Sequence, residues 1–160
     1  MTSYYDRTPT INSDGAPGFT APIDTANEDK LRARIEQAWG CELKRFGKLC
    51  AIDFYALRHN RMVGLVEIKC RHHPMNQYPT VFLNVRKWLA LQLAQQGLGV
   101  PAMFVVGFDD AVRFIPINEV NTSDIRMAGT THLVKSHADI EPIIYIQLDT
   151  MKPLPEELTA

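Results

Sequence analysis

The sequence predicts a mixed α/β domain, and three observations carry that expectation. A segment with helical spacing opens the patterned part of the chain, a second lies near its middle, and Val/Ile-rich runs of strand length lie before and after the second. The chain has 160 residues, 46% apolar and 22% charged, with a formal net charge of −1. That suits one domain able to bury a core of its own, and excludes a disordered acidic chain, a collagen and a disulfide-rich miniprotein. No run of about 18 apolar residues occurs, so no membrane-spanning helix is expected. The opening MTSYYDRTPT lacks the apolar segment of a secretory signal. Three cysteines (Cys41, Cys50, Cys70) are odd in number and read as reduced thiols, which predicts a cytoplasmic setting.

Taken in order, residues 1–24 are rich in Ser, Thr, Pro, Gly and Asp without periodicity and read as a flexible extension. The domain is expected over 25–151, with 152–160 as a Pro- and Glu-rich tail. Thr25 with Glu28 forms a capping-box signature, and Leu31, Ile35, Ala38 and Trp39 mark a helix over 26–39 that Gly40 stops. Strands follow at about 41–46, 49–57 and 62–70, the last two joined by a turn in Arg58-His59-Asn60-Arg61. Residues 72–80 form a loop. A second helix is expected over 82–96, with Phe82, Val85, Trp88, Leu89 and Leu93 as its core-facing stripe and Gly97-Leu98-Gly99 as its stop. Strands at 102–108, 112–118 and 143–148 complete the order, with a polar stretch at 121–139.

The low net charge hides a segregation. Residues 30–87 hold twelve Lys/Arg against four acids, a net of +8, and the remainder carries −9. A basic block beside an acidic remainder fits a polyanionic partner, although the two sets could also pair across the surface.

Within the basic block, three charges sit inside otherwise apolar strands: Asp53, Glu67 and Lys69. Buried charges need partners. Glu67 and Lys69, two apart, project from one strand face. With a three-residue turn, His59 to Arg61, Asp53 falls directly opposite Glu67, with Cβ atoms about 4.5–5.5 Å apart. A two-residue turn instead pairs Asp53 with Ile68 and puts the acids on opposite faces. Two facing carboxylates repel unless a cation joins them, and a hard divalent ion such as Mg²⁺ or Mn²⁺ meets that need, with the Ile68 carbonyl as a further oxygen. Lys69 could then orient a water or balance charge on an attacked phosphate. A plain salt bridge of Lys69 with one acid is the competing explanation.

Asp53 in one strand, a hairpin, then Val66-Glu67-Ile68-Lys69 in the next resembles the PD-(D/E)XK nuclease superfamily. The likeness covers about residues 26–108 and its flanking helices. It implies a restriction-endonuclease-like α-β-β-β-α-β core, a mixed central sheet flanked by helices. It also implies a Mg²⁺- or Mn²⁺-dependent nuclease hydrolysing phosphodiester bonds in DNA, as in phage or bacterial repair, recombination or processing. By the resemblance Asp53 and Glu67 are metal ligands and Lys69 the catalytic lysine, and Glu36 resembles the helix glutamate that many members add to the metal. Ile52 stands where the namesake proline would, and Asn84-x-x-x-Trp88 matches poorly the Gln-x-x-x-Tyr pair of some members. Arg58, Arg61, Arg71, His72, Arg86 and Lys87 are then candidates for phosphate contacts, Lys87 foremost on its helix.

Other chemistries find less support. Cys70, His72 and His73 lack zinc-ligand spacing, no thiol has an activating neighbour, and no Gly-rich phosphate loop occurs. Aromatics are few in the basic segment, so no base-stacking platform is expected there. A non-catalytic nucleic-acid-binding or structural protein on the same fold is the rival reading. RNA stays open as a substrate, and residues 121–160 could complete the sheet edge or make a homodimer contact.

Overall fold

In the computed structural model, residues 8–11, 17–20, 22–47, 49–128 and 140–156 are described. Helix α1 (Pro22–Trp39) starts four residues before the expected 26. Proline is favoured in the first helical turn because its φ is preset and its missing N–H would have no partner there. Gly40 ends α1 in the left-handed region, φ 58°, and the Cys41 N–H donates to the Glu36 carbonyl at 3.1 Å. Ahead of the helix, β1 (Thr8–Ile11) and β2 (Pro17–Thr20) pair antiparallel, where the composition had predicted no regular element. The rest of the expected 1–24 extension, residues 1–7, 12–16 and 21, lies outside the described residues.

Strands β3 (Glu42–Arg45), β4 (Phe54–Arg58) and β5 (Arg61–Cys70) form an antiparallel meander. The expected strand 49–57 is strand only from Phe54. Residues before it make a loop that the Phe46 N–H closes onto the Asp53 carbonyl at 3.1 Å. The meander joins a six-stranded sheet ordered β11-β8-β7-β5-β4-β3, with β7 (Ala102–Gly107), β8 (Val112–Pro116) and β11 (Lys152–Pro153). Only β5 and β7 run parallel among its pairs, and the chain between them crosses over through helix α2 (Val85–Leu98). A second sheet is ordered β6-β10-β9, from β6 (Thr80–Asn84), β9 (Ile125–Ala128) and β10 (Glu141–Gln147).

The region 80–98 departs from the expected helix 82–96. Val81 and Leu83 are buried and Phe82 is exposed, the two-residue alternation of a strand, and the helix begins only at Val85. The predicted stripe is corrected accordingly: Leu91 is fully buried, whereas Leu89 and Leu93 face outward, 47% and 67% exposed.

Two cores lie on the two faces of the main sheet. Leu31 and Ile35 of α1 pack with Leu43, Phe54, Val66, Ile68 and Val105. On the other face, Leu65, Phe104, Val106 and Ile115 pack with Leu91 of α2 and with Val81, Leu83, Ile144 and Ile146 of the second sheet. Alternation along β5 therefore turns Val66 and Ile68 toward α1, and Leu65, Glu67 and Lys69 toward α2.

The hairpin between β4 and β5 decides what faces Glu67. Its turn has two residues, not three: His59 and Asn60 both have positive φ, 50° and 57°, and Arg58 pairs with Arg61. That is a type I′ geometry, whose twist suits a hairpin. Left regular, this register would place Asp53 opposite Val66, with the acids on opposite faces. A bulge prevents it. Leu57 pairs with Met62 but Ala56 pairs with Gly64, so Val63 is the extra residue, and Phe54 pairs with Val66. One step further along that corrected register, Asp53 stands opposite Glu67.

Candidate active site

Glu67 reaches the site because β5 points it into the α2-side core, where it is 7% exposed among apolar neighbours. Asp53 precedes β4 at the same end of the sheet. The third group comes from α2. Lys87, in the first helical turn, places Nζ between the acids, donating to Asp53 Oδ1 at 2.8 Å and to Glu67 Oε2 at 3.2 Å, with Oε1 at 3.1 Å. A cation in a helix's first turn opposes the helix dipole, at a cost of about 0.3–1 kcal/mol. The two carboxylates offset it.

The electrostatics follow from burial. Desolvation, reinforced by the Asp53 charge, pushes the Glu67 carboxyl up to about 8 against the opposing pull of Lys87. Burial would lower the Lys87 ammonium, but Glu67 and Asp53 outweigh it and hold it above its ordinary value. Burial, helped by the neighbouring Arg71 charge, brings Lys69 down to about 8, with Glu67 and Glu141 opposing. Lys69 Nζ lies 4.5 Å from the centre of the Phe82 ring, and the Arg71 guanidinium is also 4.5 Å from it.

The structure thus brings Asp53, Glu67 and Lys69 to one place, with Arg71 beside them. Ile68 buries its side chain under α1, so only its backbone carbonyl is left to contribute; β5 runs on past the first β4 pair, Phe54 with Val66. Glu36 is not brought there. Its Oε1 accepts from the Leu43 N–H at 2.7 Å. Leu43 pairs with Ala56, three residues and about 10 Å of strand from Asp53, and α1 covers the opposite sheet face. Among the described residues no third His, Cys, Asp or Glu joins the pair.

The basic candidates divide. Arg58 and Arg61 lie at the hairpin tip, with six residues and roughly 20 Å of strand between Arg61 and Glu67. Arg58 donates to the Trp39 and Gly40 carbonyls, capping the end of α1. His72 and Arg86 are exposed at the site end. Lys87 clamps the acids rather than standing free for a phosphate. The sequence reading missed Asn84 and Glu141, which hydrogen-bond each other, Asn84 Nδ2 donating, and which bring an acid near Lys69. It also missed Phe82 and Tyr145, whose rings lie 6.4 Å apart. Residues 80–84 alternate in burial, but Val81, Phe82 and Leu83 are all apolar, so no polarity pattern in the sequence marked the strand.

A divalent ion, which the resemblance implies, fits this donor set. Two carboxylates already share one cationic partner, and Mg²⁺ commonly binds through one or two carboxylates with water and substrate phosphate completing its shell.

The sequence matches, over residues 16–154, the family described as "Phage putative PDDEXK endonuclease". The chain belongs to this family. As a member it is a PD-(D/E)XK nuclease acting on DNA, in agreement with the resemblance carried by Asp53 and the Glu67-Ile68-Lys69 stretch. No curated protein matches it by sequence. Among solved structures it is similar to Hjc, a Holliday junction resolvase from the hyperthermophilic archaeon Archaeoglobus fulgidus, with a TM-score of 0.57 and 15% identity, over 82% of this chain and 92% of that one. That likeness bears on the fold, which is the mixed α/β, restriction-endonuclease-like arrangement expected from the sequence. Among the described residues no helix is long and apolar enough to cross a membrane.

Proposed function

We propose that the protein is a divalent-metal-dependent DNA endonuclease in which Asp53, Glu67 and the Ile68 carbonyl hold Mg²⁺ or Mn²⁺ and Lys69 acts on the attacked phosphate. The observation that carries the reading is the convergence of Asp53 and Glu67 on one cation, Lys87 Nζ, with Lys69 next on the same strand face. When bound, the ion would supply Lewis-acid stabilisation of phosphate charge and an acidified water. Asp53 and Glu67 would hold it, and Glu67 would give up the proton that its burial favours. Lys69 balances charge on the phosphate or aligns the nucleophile, and its low-lying ammonium can also exchange a proton near neutral pH. Arg71 holds the strand beside it. The phage family fits an enzyme working in the cytoplasm of an infected cell, in recombination or DNA processing.

The test is incubation with supercoiled, linear, single-stranded and four-way-junction DNA in Mg²⁺ or Mn²⁺. Cleavage should require the metal, and Asp53→Ala and Lys69→Ala should each abolish it while circular dichroism shows a folded chain. Binding without cleavage of every substrate would favour a non-catalytic DNA-binding protein. Undiminished cleavage by folded Asp53→Ala would refute the site.

A further inference from the structure

The second sheet carries an aromatic and cationic row on the face that leads away from the acid pair. Strand pairing sets Tyr145 directly opposite Phe82 and Ile143 opposite Arg126, so the three long side chains share one face across β6, β10 and β9. Phe82 lies on the outward side of β6, 36% exposed, while its neighbours Val81 and Leu83 are buried. At one end of the row, Lys69 and Arg71 both lie over the Phe82 ring. At the other, the Arg126 guanidinium lies 4.4 Å from the centre of the Tyr145 ring, paired through Nε and Nη2 with Asp124. An order of cation, ring, ring, cation therefore runs outward from the catalytic lysine.

Two features of this row point to an anionic partner with flat faces. Lys69 and Arg71 gather like charges over one ring; Glu67 and Glu141 act on Lys69, but among the described residues no acid offsets Arg71. Arg71 Nη2 is buried with no hydrogen-bond partner among the described residues, a position that costs free energy until something accepts from it. Both acids of this face are engaged, Glu141 by Asn84 and Asp124 by Arg126, which leaves Phe82 and Tyr145 as the path for a strand. Alternating cations and aromatic faces suit a single strand, whose phosphates meet the charges while its unpaired bases stack on the rings. A duplex, with its bases already stacked, gains nothing from exposed rings.

The geometry points to a stacking platform, formed by Phe82 and Tyr145 with Lys69, Arg71 and Arg126, that takes unpaired nucleotides of a DNA strand next to the cleavage site. The platform rests on the nuclease reading of the acid pair and narrows it: the substrate is DNA with a single-stranded or splayed segment, such as a fork or a junction arm.

The experiment measures fluorescence anisotropy of fluorescein-labelled single-stranded, forked and fully duplex DNA in EDTA, where cleavage cannot intervene. Wild type should bind the single strand and the fork more tightly than the duplex. Tyr145→Leu and Phe82→Leu keep apolar bulk but remove the π face, and should weaken single-strand and fork binding about five- to 150-fold, the equivalent of about 1–3 kcal/mol per stacked base. Tyr145→Phe should restore it, and duplex binding should change little in any variant. A strand carrying aminopurine should lose fluorescence on binding wild type, as a stacked base does, and keep it on binding Tyr145→Leu. Equal affinity of wild type for single strand and duplex, or folded leucine variants that bind both like wild type, would overturn the platform. Metal-dependent cleavage of duplex DNA in that case would leave the nuclease reading standing; absence of cleavage on any DNA would remove both.

Discussion

Replacing Lys87 by Met preserves length and apolar stem while removing the cation that the two acids share. In the metal-free protein the variant loses a charged, half-buried hydrogen bond to Asp53 at 2.8 Å. Bonds of this kind contribute about 1.5–3 kcal/mol. Glu67 limits the damage, because its carboxyl already favours the protonated form. A loss of about 2 kcal/mol is expected, and a domain of this size should then melt about 4–8 °C lower. The same substitution removes the competitor for the two carboxylates. Mn²⁺ should bind Lys87→Met about tenfold more tightly, the equivalent of about 1.4 kcal/mol. It should also raise the melting temperature of the variant more than that of wild type. Differential scanning fluorimetry and calorimetric titration without DNA measure both quantities, with Asp53→Asn as the variant that should lose the ion. If Lys87→Met melts with wild type and binds Mn²⁺ no more tightly, the ammonium does not hold the acid pair and the argument from its position fails.

Three further outcomes follow from the geometry. Glu67, ordinarily near 4.5, is pushed up to about 8, so the folded chain keeps a proton that the unfolded chain loses, and metal-free stability should fall as pH rises from 4.5 to 8. Lys69, ordinarily near 10.5, is brought down to about 8, so stability should recover as pH rises from 8 to 10.5. Urea midpoints across this range should dip near pH 8; Glu67→Gln should flatten the lower limb, and an unflattened one would contradict the assignment. Arg58→Ala should cost about 1 kcal/mol through the lost cap on α1 and leave DNA cleavage rates near wild type; a large loss of cleavage in the folded variant would return Arg58 to the DNA interface. Deleting Val63 should make the β4–β5 pairing continuous, with Arg58-Arg61, Leu57-Met62 and Ala56-Gly64 kept. The variant should be less stable yet still cleave, and a well-folded, inactive deletion would show that the bulge does more than set the register.

The order of elements in the central sheet was legible from β3 to β8 because its longer strands are Val/Ile-rich and its helix ends carry Gly40 and Gly99, whereas β11 lies in the stretch expected as a tail. The acid pair and Lys69 were legible because charges inside apolar strands are expensive and so stand out. What was not legible depends on contacts distant in sequence. No local pattern shows which residue of α2 leans between Asp53 and Glu67, so Lys87 was read as a phosphate ligand. Glu36 matched a helix glutamate by position in the element order, but α1 descends on the wrong sheet face and carries it toward Leu43. Phe82 was read by helical period because Val81, Phe82 and Leu83 form a continuous apolar run that does not tell strand from helix, and that error hid the pairing with Tyr145. The aromatic row combines the basic segment with a strand from the acidic remainder, so a search of the basic segment alone found too few rings.

The bulge at Val63 also bears on how such nucleases can be compared. What the chemistry requires is that two carboxylates meet in space, and the hairpin satisfies this by parity: a two-residue turn plus one extra residue equals a three-residue turn without one. Related chains could therefore gain or lose a residue between the two acids, provided that a bulge appears or disappears with it. Spacing between the acids, counted along the chain, is then an unsafe guide to membership. Counting ladder pairs back from the turn, with the extra residue included, is the measure that keeps Asp53 across from Glu67.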